Sequence, residues 1–333
     1  MYEFLGLSLV LAGLLVVNAI ASLVGVTVWR LLANRAVSWS ARRRAQVVFA
    51  MRVGPPALAL TTILVLIIPA YLMYEPASSG EVVSKKLGAV ALLSFVGVML
   101  ALWRGLKSWH ATRALLREWL ASARPINIAA VDIPAFAIEH PFPVIAVVGS
   151  VRPRLFIARR VLETLSEEEL LAAIAHESGH LEAHDNLRRV LLRACSDMLT
   201  IVPCGRLLDR VWAESAEAAA DEAAAGQGSP VALNLASALI EIARMVPSGA
   251  RASMPLASFM LGDENSGVKG RVRRLLVLAG TSVEHDRRAY RLRRWVTRSA
   301  LTSSLILLVL LLAHSSALVQ IHNAIESAVR LLS

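Results

Sequence analysis

Long apolar stretches alternate with basic stretches along the chain and divide it into membrane and soluble parts. The first apolar stretch covers residues 4–29 almost without interruption, and others follow at about 57–74, 87–103 and 299–320. Each is long enough to cross the ~30 Å hydrocarbon core of a bilayer as a helix. The pattern therefore predicts an integral membrane α-helical protein with four transmembrane helices.

The first apolar stretch has a second interpretation, as a cleaved signal peptide, because Ala19-Ile20-Ala21-Ser22 resembles a cleavage site. A signal peptide begins with a basic segment, whereas Glu3 is the first charge here. The apolar run also continues to Trp29, beyond that site. We therefore expect a retained helix.

Basic residues mark one side of the membrane. Residues 30–54 contain six arginines and no acid, and further basic residues follow the third span and precede the fourth. By the positive-inside rule, the loop 30–54 and the region 104–298 are cytoplasmic, whereas the N-terminus, the connector 75–86 and the tail 321–333 lie outside. This places the protein in the inner, cytoplasmic membrane. The loop is expected to lie at the membrane surface, attracted to anionic lipid headgroups.

The composition agrees with a membrane protein. Hydrophobic residues make up 56% of the chain, above the roughly 45–50% of a typical soluble domain. The net charge of +10 comes largely from arginines that flank the spans, so it gives no reason to expect a nucleic-acid partner. Cys195 and Cys204 have no metal-binding spacing, and we interpret them as small apolar residues. The chain thus divides into a membrane region at 1–103, a domain at 104–298, a fourth span and a short tail.

Candidate chemistry is concentrated between residues 165 and 185. Ser166 followed by Glu169 forms a capping box, which predicts the start of a helix. His176 and His180 are four residues apart, so both imidazoles lie on one helix face, within reach of one ion. Glu177 stands next to the first histidine, where it can take a proton from a water on the metal. This His-Glu-x-x-His pattern is typical of zinc peptidases.

Catalytic zinc usually has three protein ligands, so one more is needed. His184 continues the row, but two turns place it ~12 Å along the axis from His176, too far for one ion. The acidic stripe of Glu214, Glu217 and Asp221, set among alanines, is the better source. One of its carboxylates can bind zinc, while the Asp orients a ligand histidine.

Around this helix the domain is expected to be of α+β type and mainly helical. Residues 144–148 and 154–157 are β-rich and surround Gly149-Ser150, which predicts a hairpin. The hairpin is either purely structural or holds a substrate backbone by strand addition. Further elements are expected as helices at 187–202 and 231–246, a long loop at 247–270, and a short basic helix from Gly270.

Several segments resemble the BlaR/MecR-type membrane metallopeptidases, relatives of the β-lactam sensor–transducers. The resemblance covers roughly residues 140–225. Its motifs are the run Val151–Leu170, His-Glu-Ser-Gly-His at 176–180, His-Asp-Asn-Leu at 184–187, and Glu-Ala-Ala-Ala-Asp at 217–221. It departs from the family at Ala220, where many relatives have Cys.

The resemblance implies a gluzincin core, shared with HtpX-type and CAAX-protease families. It implies His176, His180 and Glu217 as the ligands of one Zn²⁺ per chain and Glu177 as the general base. Asp221 and Asp185 are expected to support the ligands from behind. The oxyanion-stabilising group has no clear candidate beyond His285 and the nearby arginines. The β-lactam sensors carry a penicillin-binding domain after the last span, so the short tail here does not favour β-lactam sensing.

The sequence thus predicts a membrane zinc endopeptidase that cleaves a cytoplasmic or membrane-adjacent protein, with a role in signalling such as cleavage of a repressor. One alternative is an HtpX-like quality-control protease, which two spans after the zinc domain would favour. The other is a non-catalytic zinc-binding scaffold, which the intact Glu177 disfavours. The expected partners are the bilayer and the protein substrate, and a homodimer is one option for the oligomeric state.

Overall fold

The structure is a computed structural model. It describes residues 2–75, 83–129, 131–197, 205–246 and 267–280, with short pieces at 318–320, 322–324 and 326–327. Over these residues the architecture is mostly helical, with one small sheet.

Three helices of the described residues are long and apolar enough to cross a membrane. The first is α1 (Tyr2–Ala36). The second runs through α2 (Ala41–Thr62), a π-helical turn (Ile63–Ile67) and α3 (Ile68–Tyr74), and the third is α4 (Lys85–Ser122). These helices agree with the first three predicted spans and with a multi-pass membrane protein. Residues 299–317 of the predicted fourth span lie outside the described residues.

The segment 30–54, predicted as a loop, is mostly helical, and this prediction was wrong. Helix α1 continues to Ala36 and α2 begins at Ala41, after Ser40, whose hydroxyl accepts a hydrogen bond from the Arg43 amide. The reason is tertiary packing: apolar residues between the arginines, such as the fully buried Val48, pack against a helix of the soluble domain.

Two arginines of this segment bind the soluble domain. Arg52 is 4% exposed, and its Nε donates to Asp209 Oδ1 at 3.0 Å. Arg44 Nε donates to Ser215 Oγ at 2.8 Å. Both partners lie on α8 (Gly205–Ala225). The first half of α2 therefore attaches the membrane helices to the domain, and these two arginines do not form a lipid-facing surface.

Helix α4 continues well beyond the predicted end of its span at residue 103. Its last turns enter the domain, where Trp119 is buried and its ring lies edge-on to Phe156, with 5.2 Å between the ring centroids. The third span and the soluble core are thus joined by one uninterrupted helix.

The sheet has four short strands: β1 (Arg124–Ile126), β2 (Ala135–Ile138), β3 (Ile145–Val148) and β4 (Arg154–Ala158). Their order is β1-β2-β4-β3, with β2 and β4 parallel and the other pairs antiparallel. The predicted hairpin is confirmed as β3–β4. Its turn requires Gly149, which has a φ of 108° and lies so close to the Arg152 carbonyl that a Cβ would be 2.7 Å from the oxygen.

Five further helices complete the described domain: α5 (Arg159–Thr164), α6 (Glu167–Ala183), α7 (Asp185–Asp197), α9 (Ser229–Met245) and α10 (Val268–Gly280). The core forms where the sheet packs against α6, α9 and α10. Phe156, Ile174, Leu239 and Leu275 are all at most 1% exposed there. The core thus fixes α6, the helix that carries the His-Glu-x-x-His motif, against the hairpin.

Candidate metal centre

Helix α6 presents the two motif histidines together. The predicted capping box is present, since Ser166 Oγ accepts from the Glu169 amide and Glu169 Oε2 accepts from the Ser166 amide. The rings of His176 and His180 lie with their centroids 4.9 Å apart, and His176 is fully buried. The capping box sets the residue at which α6 begins. The face of α6 that packs into the core therefore includes His176.

Helix α8 brings Glu217 to the same point. Glu217 Oε2 lies 3.7 Å from His176 Nε2, and Glu217 Oε1 lies 3.5 Å from His180 Nε2. One ligand atom from each of the three residues lies within 4.8 Å of the other two. Of the acidic stripe Glu214, Glu217 and Asp221, the structure therefore places Glu217 at the shared position.

Small residues allow the two helices to approach. A Cβ on Gly179, which lies between the two histidines, would be 3.2 Å from the Cα of Ala220. Ala220 itself is 4% exposed. This contact requires a small residue at Ala220, the position that departs from the family pattern, and places it in the interface of the two helices.

Two aspartates hold the imidazoles from behind. Asp221 Oδ1 lies 3.0 Å from His176 Nδ1, and Asp185 Oδ2 lies 2.8 Å from His180 Nδ1. Both aspartates are buried. A carboxylate that accepts the Nδ1 proton leaves Nε2 as the free ligand atom, and in both histidines Nε2 is the atom that faces Glu217. Asp221 and Asp185 therefore lie where they can orient the two imidazoles, and the supporting role expected for them stays a prediction.

His184 lies apart from the cluster. It is exposed and adopts a left-handed conformation with φ of 55°, which ends α6 and lets α7 start in a new direction. Helix α7 begins at Asp185, two residues before the predicted start at 187, and this break brings Asp185 back to His180. His285, a candidate for oxyanion stabilisation, lies outside the described residues.

Glu177 lies beside the two histidines and is 6% exposed. Its Oε2 accepts a hydrogen bond from the Val147 amide of β3 at 3.4 Å. The Val147 carbonyl accepts from Asn186 Nδ2 at 2.8 Å, and the same amide group donates to the Gly149 carbonyl at 3.2 Å. Strand β3 is at the sheet edge, but all its residues are buried. In the described structure the hairpin therefore supports Glu177, which favours the structural interpretation of the hairpin.

Sequence reasoning missed three residues that contact the site. Arg271 of α10 is 2% exposed and binds Asp221 through both nitrogens Nη2 and Nε, at 2.6 and 3.1 Å. Arg189 binds Glu217, and Asn186 binds the hairpin. The short basic helix that carries Arg271 was predicted. Its sequence contains several basic residues and does not show which of them is buried.

The charged groups of the cluster shift one another's pKa values. Burial lowers the pKa of His180, but Glu217 and Asp185 outweigh this effect and raise that pKa to about 10. The pKa of His176 is also raised, since Asp221 and Glu217 outweigh its burial. Burial would raise the pKa of Glu217, but the two imidazoles hold it well below its ordinary value. His180 therefore carries a proton at neutral pH when no metal is bound, and a cation that binds its Nε2 must displace that proton.

The cluster fits Zn²⁺. Two imidazoles and one carboxylate are a common ligand set of catalytic zinc. Glu217 Oε2 is buried and has no hydrogen-bond partner among the described residues. Leaving a buried acceptor without a partner costs free energy, and a cation beside the two Nε2 atoms would remove that cost.

Comparison with known proteins agrees with this geometry. Residues 119–259 match the model of peptidase family M48, whose members are metal-dependent, usually with zinc. The match includes α6 and α8 and ends before Arg271. No curated protein matches the chain. Together with the three apolar helices, the match supports a metallopeptidase of the membrane type, and it does not single out the BlaR/MecR-type enzymes.

Proposed function

We propose that the protein is a membrane-bound zinc endopeptidase with His176, His180 and Glu217 as the metal ligands. The observation that carries this proposal is the meeting of α6 and α8, which brings two imidazoles and a carboxylate together beside the buried Glu177. The match to peptidase family M48 over residues 119–259 supports peptide-bond hydrolysis as the reaction.

Each residue then has a defined task. Bound Zn²⁺ would supply a Lewis acid that lowers the pKa of a water molecule toward ~7. The carboxylate of Glu177 accepts a proton from the attacking water and passes it to the amide nitrogen that leaves. The Val147 amide, which donates to Glu177 Oε2, fixes the orientation of that carboxylate. Asp221 and Asp185 keep the Nε2 atoms of the two histidines turned toward the metal.

We propose that the active site faces the cytoplasm. The arginine-rich segments that flank the spans support this orientation. The helical continuity of α4 and the contacts between α2 and α8 support a site held close to the membrane. A cytoplasmic or membrane-adjacent protein is then the substrate.

The orientation is tested with single cysteines at Ser79 and Ser122, in a variant that lacks the native cysteines. In intact cells a membrane-impermeant thiol reagent should label the cysteine at 79 and leave the cysteine at 122 unlabelled. The opposite pattern would place the site outside. Permeabilised cells, in which both positions should react, provide the control.

Within this class we propose a signalling role through cleavage of a repressor-type protein. Quality control of misfolded membrane proteins is the alternative enzyme function, and an inert zinc-binding scaffold is the non-enzymatic alternative. The buried Glu177 with its ordered hydrogen bond supports an enzyme, because a scaffold has no use for a general base.

The substrate is found by comparing the proteins of cells that carry the native chain with those of cells that carry Glu177→Ala. A signalling protease should generate new termini in one or a few proteins, whereas a quality-control protease should generate them in many damaged membrane proteins. Identical sets of termini in the two strains would contradict the proposed protease function.

A further inference from the structure

Arg189 is the one residue of α7 that reaches the candidate ligand Glu217 among the described residues. Its side chain is 17% exposed, and Nη2 donates to Glu217 Oε1 at 3.1 Å. The neighbouring arginines of α7 serve other contacts: Arg188 binds Asp185, and Arg193 donates to Ser108 of α4. Arg189 therefore has a specific relation to the ligand set.

The two oxygens of Glu217 are in different environments. Oε1 accepts the hydrogen bond from Arg189. Oε2 is buried, lacks a hydrogen-bond partner in the described part of the chain, and lies 3.7 Å from His176 Nε2. Nη1 of Arg271 is also 3.7 Å from Oε2, which is beyond hydrogen-bond distance. Oε1 also lies 3.5 Å from His180 Nε2, so both oxygens face the histidines. Only Oε1 has a hydrogen-bond partner among the described residues, and Oε2 is left for a cation.

This asymmetry matters for catalysis because a carboxylate can bind a metal through one oxygen or through both. Catalytic zinc keeps three protein ligand atoms and an open position for water. If both oxygens of Glu217 bound the metal, the second would compete for that position. A charge-assisted hydrogen bond from an arginine is roughly twice as strong as a neutral one, so it favours one orientation of the carboxylate.

We infer that Arg189 is a positioning residue that restricts Glu217 to binding the metal through one oxygen and so keeps a coordination position open for water. Arg189 acts through Glu217 and not on the substrate. The inference rests on the proposed zinc site, and it goes beyond it by assigning a task to a residue outside the ligand motif.

The test uses the purified full chain in detergent and measures metal binding, not proteolysis. Arg189→Met should still bind Zn²⁺, because both oxygens of Glu217 are then free for the metal, but the coordination of the metal should change. In Arg189→Lys, which keeps a donor and the charge, the coordination should stay as in the native chain. Arg193→Met removes an arginine one turn further along the same helix and should bind Zn²⁺ like the native chain.

The coordination is checked with Co²⁺ in place of Zn²⁺, because the visible absorption of Co²⁺ weakens as its coordination number rises. Arg189→Met should absorb more weakly than the native chain, and Arg189→Lys should absorb like it. Should Arg189→Met not fold, Arg189→Ala takes its place with the same expected direction.

A native Co²⁺ spectrum in Arg189→Met or its Ala replacement would overturn the role of Arg189 while leaving the zinc site intact. An equal change of the spectrum in Arg193→Met would also overturn it, since the effect would then be general to α7. Failure of the native chain to bind Zn²⁺ would overturn both this inference and the proposed function.

Discussion

Helices α6 and α8 both supply candidate metal ligands, but they are held in different ways. Helix α6 is fixed by its own sequence: a capping box sets its start, and Ile174 buries one face in the core of the domain. Helix α8 is fixed from several sides by other elements. Arg44 and Arg52 of α2 contact one face, and Arg271 of α10 contacts Asp221 on another.

The difference shows which ligands are brought together by one helix alone and which ligand depends on contacts between helices. The histidine pair needs only a helix, since the 3.6-residue period brings positions i and i+4 together. The third ligand depends on the distance between two helices, and that distance is set by the contact of Gly179 with Ala220 and by the attachments of α8. We therefore expect substitutions around α8 to affect the metal through packing, whereas substitutions around α6 act within one helix.

The largest effect in this comparison is expected from the ligand of α8. Glu217→Ala should lower the affinity for Zn²⁺ by more than the 10–100-fold typical of losing an outer hydrogen-bond partner, because a ligand atom itself is removed. Glu214→Ala, one turn earlier on the same helix, should retain the metal. Zinc analysis of the two purified variants provides the check, and loss of zinc from Glu214→Ala alone would mean that the assignment on α8 is wrong.

The next effect concerns the attachment of α8 to α10. Arg271→Met leaves the buried carboxylate of Asp221 without its bidentate partner, and breaking such a buried pair costs about 3–5 kcal/mol. Unfolding by urea in detergent should show a loss of this size. Arg273→Met, an exposed arginine on the same helix, should change stability by no more than about 0.5 kcal/mol. Equal stability of Arg271→Met and the native chain would show that the contact of α10 with Asp221 does not stabilise the domain.

The smallest effect is expected at the start of α6. Ser166→Ala removes the N-cap hydrogen bond and should cost about 1 kcal/mol of stability, with zinc content unchanged. Ser178→Ala in the same helix removes only a bond to the Ile174 carbonyl within the helix and should cost less. Loss of zinc from Ser166→Ala would contradict this expectation, because the metal site would then depend on the N-cap of α6.

The sequence was informative where a feature is encoded within one element. The capping box, the hairpin around Gly149 and the adjacent histidines each depend on residues close together in the chain, and the structure contains all three features. The position of Glu217 came from the family resemblance, since the acidic stripe by itself admits Glu214 equally well.

The features that sequence reasoning missed depend on contacts between distant segments. Contacts with α8 stabilise the first half of α2 as a helix. The loop was predicted there because the basic composition of the segment does not show these contacts. Arg189 and Arg271 reach the ligands from α7 and α10, and neither stands out from the many arginines of the chain. Only the folded arrangement separates these two from arginines that flank the membrane.

The central claim is that Glu177 is a base beside a zinc site and not a ligand of it. The most direct test measures zinc content and peptide-bond cleavage on one preparation of Glu177→Gln, using the substrate found by the comparison of cellular proteins. The amide is nearly the same size as the carboxylate but does not accept the proton of the water. We expect native zinc content and a loss of cleavage of about 10²–10⁴-fold. Full zinc content with undiminished cleavage would contradict the role of Glu177 and with it the proposed mechanism.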